Sequence, residues 1–271
     1  MSERPKHRPS SLHIQRTDST VVKSLIVIPA RLASSRLPNK LLLSETGKPL
    51  LQHTYEAAAQ SQIADDVLVA ADDPQIVAAV QAFGGRVELT SDQHQSGTDR
   101  IAEIAQRYPD VELFINVQGD EPEIDAADID TAARLLQAQP QADMSTLATP
   151  ITNPGLIEDP ACVKVVFDAQ HKALYFSRSP IPFARGGLEQ AFELQPKAPL
   201  YYQHVGLYVY RRETLLELTA AARSTAEICE SLEQLRALHI GKSIWVGLAS
   251  QPSRGIDTPE DYRVFVSRHS T

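Results

Sequence analysis

The chain has 271 residues, of which 42% are hydrophobic and 22% charged, an ordinary globular composition long enough to bury a full core. A formal net charge of -8 excludes a whole-chain electrostatic grip on nucleic acid or anionic membranes, so any anionic ligand must be met by a local site. No run approaches the roughly eighteen apolar residues of a membrane helix, and the opening residues lack a secretion signal, so a cytoplasmic location is expected.

Residues 1–22 are polar, with Pro5, Pro9 and no apolar period, and cannot offset their ordering entropy; a disordered extension without chemistry is expected. Glu3, Asp18 and the lack of an amphipathic stripe favour a plain extension over an organelle-targeting peptide. From Ser24 a continuous branched apolar run predicts a strand over 24–30 that is buried on both faces of a parallel sheet. Similar runs predict strands over 66–70, 111–117 and 144–148, with helical segments between several of them. One helix is well marked, with Asp73 as N-cap, Pro74 at the first position and Ile76, Val77, Val80 and Phe83 at helical spacing before Gly84. This alternation implies βαβ units with helices on both sheet faces. Beyond Pro150 the pattern becomes mixed. Strands over 162–167 and 173–177 flank a turn at 168–172, as in a hairpin, and antiparallel additions to the sheet are expected. A surface loop over 183–199, a strand over 200–210, a helix over 228–238, a strand over 244–248 and a last helix opened by Pro259 complete the reading. No repeat or linker interrupts residues 23–271, which are expected to form one domain. Cys162 and Cys229 have no cysteine neighbours and are expected to be reduced packing residues.

Three loops carry candidate chemistry. Residues 29–40 follow the first strand and hold Arg31, Arg36 and Lys40 without an acidic residue. In an open α/β sheet they would project into the crevice beyond the strand ends, where they suit a polyanion. The plain alternative is a solvated basic surface loop. Asp120, in Asn116 to Pro122, follows another buried strand and should reach the same edge. It suits magnesium, which takes one or two carboxylates and completes its shell with water and phosphate, although helix capping by Asp120 or Glu121 would also explain an acid there. Asp257 precedes the last helix and carries the same two readings.

These loops resemble a known family. PARLASSRLPNK from Pro29, HQSGTDRIAE from His94, NVQGDEP from Asn116, YFSR from Tyr175, HVGLY from His204, ESLEQLR from Glu230 and GIDTPED from Gly255 occur in the order found in the 3-deoxy-manno-octulosonate (Kdo) cytidylyltransferases. The resemblance runs from about Ser24 to the C-terminus. It implies a Rossmann-like nucleotidyltransferase α/β fold with a central, mostly parallel but mixed sheet flanked by helices and an antiparallel extension. It also implies a homodimer that uses CTP, a Kdo-type sugar acid and Mg2+ in lipopolysaccharide synthesis. By position in the motifs, Arg31, Arg36 and Lys40 would contact the triphosphate, with Pro29, Ala30, Ser96, Thr98, Arg100 and Gln118 shaping the nucleotide pocket. Asp120 and Asp257 would hold magnesium, while Arg178, His204, Tyr208, Glu233 and Gln234 would meet the sugar acid. Taken alone, His204 and Tyr208 read as packing residues, Glu233 and Gln234 as a solvent-facing helix surface, and His94 as a loop-surface residue. The chain departs from the family pattern at Asn39, where glycine is common; asparagine tolerates the left-handed conformation such a turn needs. It departs also at Leu41 and at Gln203, the latter where a basic residue is frequent. Alternative substrates are a modified sugar such as the 8-amino form, and a non-catalytic nucleotide sensor is the alternative of a different class.

Overall fold

The computed structural model describes residues 23–188, 199–252 and 255–269, so the extension 1–22 and residues 189–198 of the expected loop lie outside the described residues. Strand β1 (Ser24–Ala30) is apolar on both pleats, and alternate residues serve opposite layers. Ile26 and Ile28 join one core cluster while Leu25 and Val27 join the other. The first layer is completed by α1 (Leu50–Ala58), α2 (Pro74–Ala82) and α4 (Ala126–Ala138), through Leu51, Ile76, Val80 and Ile129. The second is completed by α3 (Gly97–Arg107), α6 (Arg212–Ala220) and α8 (Gln234–His239), through Ile101, Leu215 and Leu235.

The sheet order is β3-β2-β1-β4-β8-β5-β9, with β1 parallel to both β2 (Asp66–Ala71) and β4 (Leu113–Asn116), and β2 parallel to β3 (Val87–Leu89). Strand β8 (Tyr202–Arg211) enters between β4 and β5 (Met144–Pro150), antiparallel to each, and β9 (Ile244–Leu248) pairs parallel with β5. The hairpin of β6 (Lys164–Phe167) and β7 (Ala173–Ser177) turns through His171 at φ 68 and joins β8 by the pair Lys164 and Gln203. The short helix α5 (Gly155–Glu158) precedes it. The expected parallel core with an antiparallel extension is therefore present. Asp73 caps α2 as expected, its side chain accepting from the Gln75 amide.

Two expectations are corrected. The single helix over 228–238 is two pieces, α7 (Thr225–Glu230) and α8, because Ser231 takes a left-handed conformation at φ 51 and ends the first. Cys229 is exposed, so only Cys162 serves as a packing residue. Among the described residues no helix is long and apolar enough to cross a membrane.

The last helix, α9 (Pro259–His269), has a local task. Its Tyr262 and Phe265 pack with Leu37 of the basic loop and with Ile256, which fixes the segment carrying Asp257 against the segment carrying Arg36 and Lys40.

Candidate active site

The carboxyl edge of β1 and β4 gathers the three loops. Asn39 adopts φ 52, the conformation for which glycine is otherwise used, and it turns the chain into a short 3-10 segment at Lys40–Leu42. The buried Leu41 then lies against Gly119. A Cβ at Gly119 would stand 3.2 Å from the Pro29 carbonyl oxygen, so a side chain there would push the two loops apart. The buried Thr54 hydroxyl donates to the Gly119 carbonyl at 2.9 Å, and the Ile256 amide donates to the Asp120 carbonyl at 2.9 Å. Main-chain bonds thus place Asp120 beside the Asp257 segment before any ion is considered.

The side chains complete the junction. Lys40 Nζ donates to Asp120 Oδ2 at 2.5 Å, to Asp257 Oδ1 at 3.0 Å and to the Ile256 carbonyl at 3.0 Å. Arg36 Nη2 lies 2.9 Å from the same Asp257 oxygen. The capping explanations for both acids fall away. Helix α4 is capped by Asp125, and at the start of α9 Thr258 and Asp261 cap each other, with Asp261 also accepting from the Asp257 amide. Neither Asp120 nor Asp257 is used for that purpose.

A cleft of about 320 Å³ opens over this junction, walled by Pro29, Arg31, Lys40, Ser96, Gln118 and Asp120 among others. Ser96 caps α3 in a reciprocal pair with Asp99, so the helix N-terminus, with its positive dipole end, meets the cleft. Arg31 is exposed on the wall. Arg100 also borders the cleft but is buried. Its guanidinium donates to Thr90 Oγ1 at 2.6 Å and the Ser91 carbonyl at 2.9 Å and lies 3.5 Å from Asp72, so it braces the loop before α3. Asp72 in turn accepts from the Leu32 amide at 2.8 Å, tying the basic loop to the end of β2. Sequence reasoning missed Asp72, although an acid immediately after a buried strand was the same signal that singled out Asp120. Ala30 is buried and serves through its carbonyl, which accepts from the Asp72 amide. His94 lines the cleft and pairs with Glu103 at 2.5 Å, so it is not a free loop-surface residue.

A second pocket of about 180 Å³ shares Gly97 and Gln118 with the cleft and is walled further by Thr98, Tyr208, Tyr210, Glu233 and Gln234. Gln118 donates to Asn116 Oδ1 at 3.1 Å, which orients its amide between the two spaces. Burial raises the pKa of the Glu233 carboxyl, partly opposed by hydrogen bonds from Thr98 and Ser96. Burial also raises Tyr208 well above the ordinary phenol value, so both tyrosines present neutral hydroxyls. Glu233 and Gln234 therefore face inward, and the surface-helix reading of these two is corrected. In β8 the register shifts by two residues opposite Thr146 and Leu147, and this irregularity brings the His204 and Tyr208 rings to 5.3 Å. His204 is enclosed by Phe176 and Tyr208, and burial lowers its pKa to about 3, so it is neutral. Its Nε2 lies 3.0 Å from Thr146 Oγ1, a hydroxyl that also reaches the Val205 and Leu207 carbonyls at 3.1 and 2.8 Å.

His204 and Arg178 wall neither space. Arg178 spends its guanidinium on main chain: Nε donates to the Glu230 carbonyl at 2.6 Å, Nη1 to Pro160 at 2.8 Å and Nη2 to Ser231 at 3.4 Å. The Glu230 carboxylate accepts from Ser177 Oγ and from the Arg178 amide. Beneath them Lys164 is fully buried, its ammonium donating to the carbonyls of Asp159, Cys162 and Arg178 at 3.0, 2.6 and 2.6 Å. Burial lowers the pKa of Lys164. This cluster holds the turn from which Glu233 and Gln234 enter the pocket, and Lys164 was not among the expected residues, because a lysine inside a strand gives no sign that its head will be buried.

A family model described as cytidylyltransferase matches residues 25–244. The chain is 52% identical to a 3-deoxy-manno-octulosonate cytidylyltransferase of Rhodopirellula baltica, over 91% of this chain and 98% of that one. It is 43% identical to the protein of the same name from Escherichia coli, over 88% and 92%. Among solved structures, a CMP:2-keto-3-deoxy-manno-octonic acid synthetase complexed with CTP superposes with a TM-score of 0.83 at 40% identity, covering 91% of this chain and 98% of that one.

Proposed function

The chain belongs to the 3-deoxy-manno-octulosonate cytidylyltransferases, and from that membership we propose that it joins the cytidylyl group of CTP to the anomeric hydroxyl of Kdo. The observation that carries this reading is the meeting of Asp120 and Asp257 on one cation at the sheet edge, in a cleft that shares Gly97 and Gln118 with an inner pocket lined by hydroxyls, amides and the Glu233 carboxyl. The anomeric oxygen attacks the α-phosphorus as the bond to the β-phosphate oxygen breaks, giving CMP-Kdo and pyrophosphate, and the hydroxyl proton is lost to solvent. No protein nucleophile is needed, so positioning and charge neutralisation dominate.

The outer cleft takes the triphosphate. Arg31, Arg36 and Lys40 hold its oxygens and stabilise the charge that grows on the departing pyrophosphate, with the amides at the start of α3 beside them. Asp120 and Asp257 would hold Mg2+. Two carboxylates that already share one cation are the protein share of such a shell, and the ion would polarise the α-phosphate. In the inner pocket Tyr208, Glu233 and Gln234 hold the sugar hydroxyls, and His204, neutral and packed at a tilt against Tyr208, keeps that ring in place. Arg178, which walls neither space, acts by fixing the turn that delivers Glu233. A homodimer working in the cytoplasm for lipopolysaccharide synthesis completes the reading, and exposed Leu174, Phe183 and Ile228 supply apolar surface for the dimer.

Incubation with each nucleoside triphosphate, Mg2+ and a panel of sugar acids, with products identified by mass, tests the proposal. CMP-Kdo formed from CTP and Kdo ahead of the 8-amino sugar is expected. Nucleotide binding without release of pyrophosphate would instead favour a sensor.

A further inference from the structure

Lys40 has no donor left over. An ammonium offers three N–H groups, and here they go to Asp120 Oδ2, Asp257 Oδ1 and the Ile256 carbonyl. Arg36 lies on the same Asp257 oxygen. Two of the three cations assigned to the triphosphate are thus bound to the two carboxylates assigned to the metal. Arg31, on the wall of the same cleft, makes no ion pair among the described residues. Lys40 can hold the carboxylates or a phosphate, but not both in one arrangement.

The charges balance across the alternative. Two carboxylates are neutralised in this state by two side-chain cations. A divalent ion would carry the same two positive charges and release both side chains for the polyanion. We propose that in the free protein Lys40 and Arg36 hold the cation position beside Asp120 and Asp257, and that a divalent ion would enter by exchange, displacing them from those carboxylates toward the phosphates. This inference rests on the proposed assignment of those two aspartates to the metal.

The exchange sets the order of events. Without nucleotide, an incoming ion must expel a largely enclosed ammonium, whose side chain is 13% exposed, and leave Lys40, Arg36 and Arg31 crowded without an anionic partner. With nucleotide present, the phosphates receive them. Metal therefore binds weakly to the free protein and tightly with nucleotide, and the coupling is reciprocal. The protein is protected from holding a divalent ion in an idle site.

Titration of the full-length protein with Mn2+, followed by electron paramagnetic resonance without nucleotide, tests this directly. Lys40→Met is expected to bind Mn2+ at least about tenfold more tightly than the wild type, because the competing ammonium is gone. Adding Asp257→Asn to that variant should abolish the gain. Arg36→Ala, at a side chain 63% exposed and so safe for folding, should tighten Mn2+ about threefold and decides the matter should Lys40→Met fail to fold. Equal Mn2+ affinity in wild type and both variants would overturn the exchange. Should tight Mn2+ binding with a CTP analogue bridged by carbon between its α and β phosphorus still require Asp120, the metal assignment survives that result; should Asp120→Asn leave it unchanged, assignment and exchange fall together.

Discussion

The outer cleft and the inner pocket are adjacent but built on different physics. The cleft stands on loops beyond the carboxyl ends of parallel strands, and formal charges in reciprocal pairs hold it: Lys40 with Asp120 and Asp257, Arg36 with Asp257, Arg100 with Asp72. The pocket is walled from the later half of the antiparallel strand β8 and a broken helix, and its polar groups are enclosed: the neutral hydroxyls of Tyr208 and Tyr210, and Glu233, whose pKa burial raises. A charged site can rearrange when a polyanion arrives, because each pair has an alternative partner. A pocket of packed rings and hydroxyls is preformed, and discriminates by shape and hydrogen bonding instead.

The sharpest way to break this contrast is to remove charge without volume. Asp120→Asn should lower turnover at least about a hundredfold while shifting the thermal midpoint little, since the side chain is partly exposed and its loop is held by main-chain bonds. Near-normal pyrophosphate release by that variant would contradict the metal role.

The pocket side should behave oppositely, losing order and one substrate rather than the chemical step. Lys164→Met leaves three carbonyls without their ammonium, and a loss of about 1–3 kcal/mol in urea unfolding is expected. The KM for the sugar acid should rise several-fold while that for CTP stays within about twofold, because the cluster reaches Glu233 and not the basic loop. Equal changes in both constants would assign Lys164 to general stability alone.

A further effect, confined to stability, is expected on pH. His204 has a folded pKa of about 3 against an ordinary 6.5, so between those values the unfolded chain binds a proton that the folded chain refuses. Its contribution is present above about pH 6.5 and is lost as pH falls toward 3. His204→Gln, which retains an amide donor for Thr146, should therefore lose less stability than the wild type between about pH 7 and about pH 4.5. Parallel urea midpoints for the two proteins would show that the ring is not enclosed in solution.

Legibility followed the same division. The basic loop, Asp120 and Asp257 were readable because each follows a buried strand or precedes a marked helix, and a charge at the end of an apolar run has few structural reasons to be there. Asn39 was readable as a left-handed turn once the resemblance put a glycine position there, because asparagine tolerates that conformation. The pocket was harder. Glu233 and Gln234 looked like a solvent-facing helix surface because nothing local announces that Ser231 breaks the helix and turns them inward. Arg178 was expected to meet the sugar acid and Lys164 was not singled out, and only the packing of three segments shows that carbonyls consume their donors.

By itself, the sequence determined the parallel core, its crossover helices and the loops at their ends, since apolar periodicity and capping chemistry act within about ten residues. The tertiary structure alone decided which charges meet and which side chains are enclosed. Asp120 and Asp257 are brought together by one main-chain bond and one ammonium across more than half the chain, and His204 reaches Tyr208 only because β8 bulges. In an even strand, residues four apart would stand about 13 Å from each other. Ion pairing and ring contact depend on ångström distances between segments remote in sequence, and no local pattern encodes those distances.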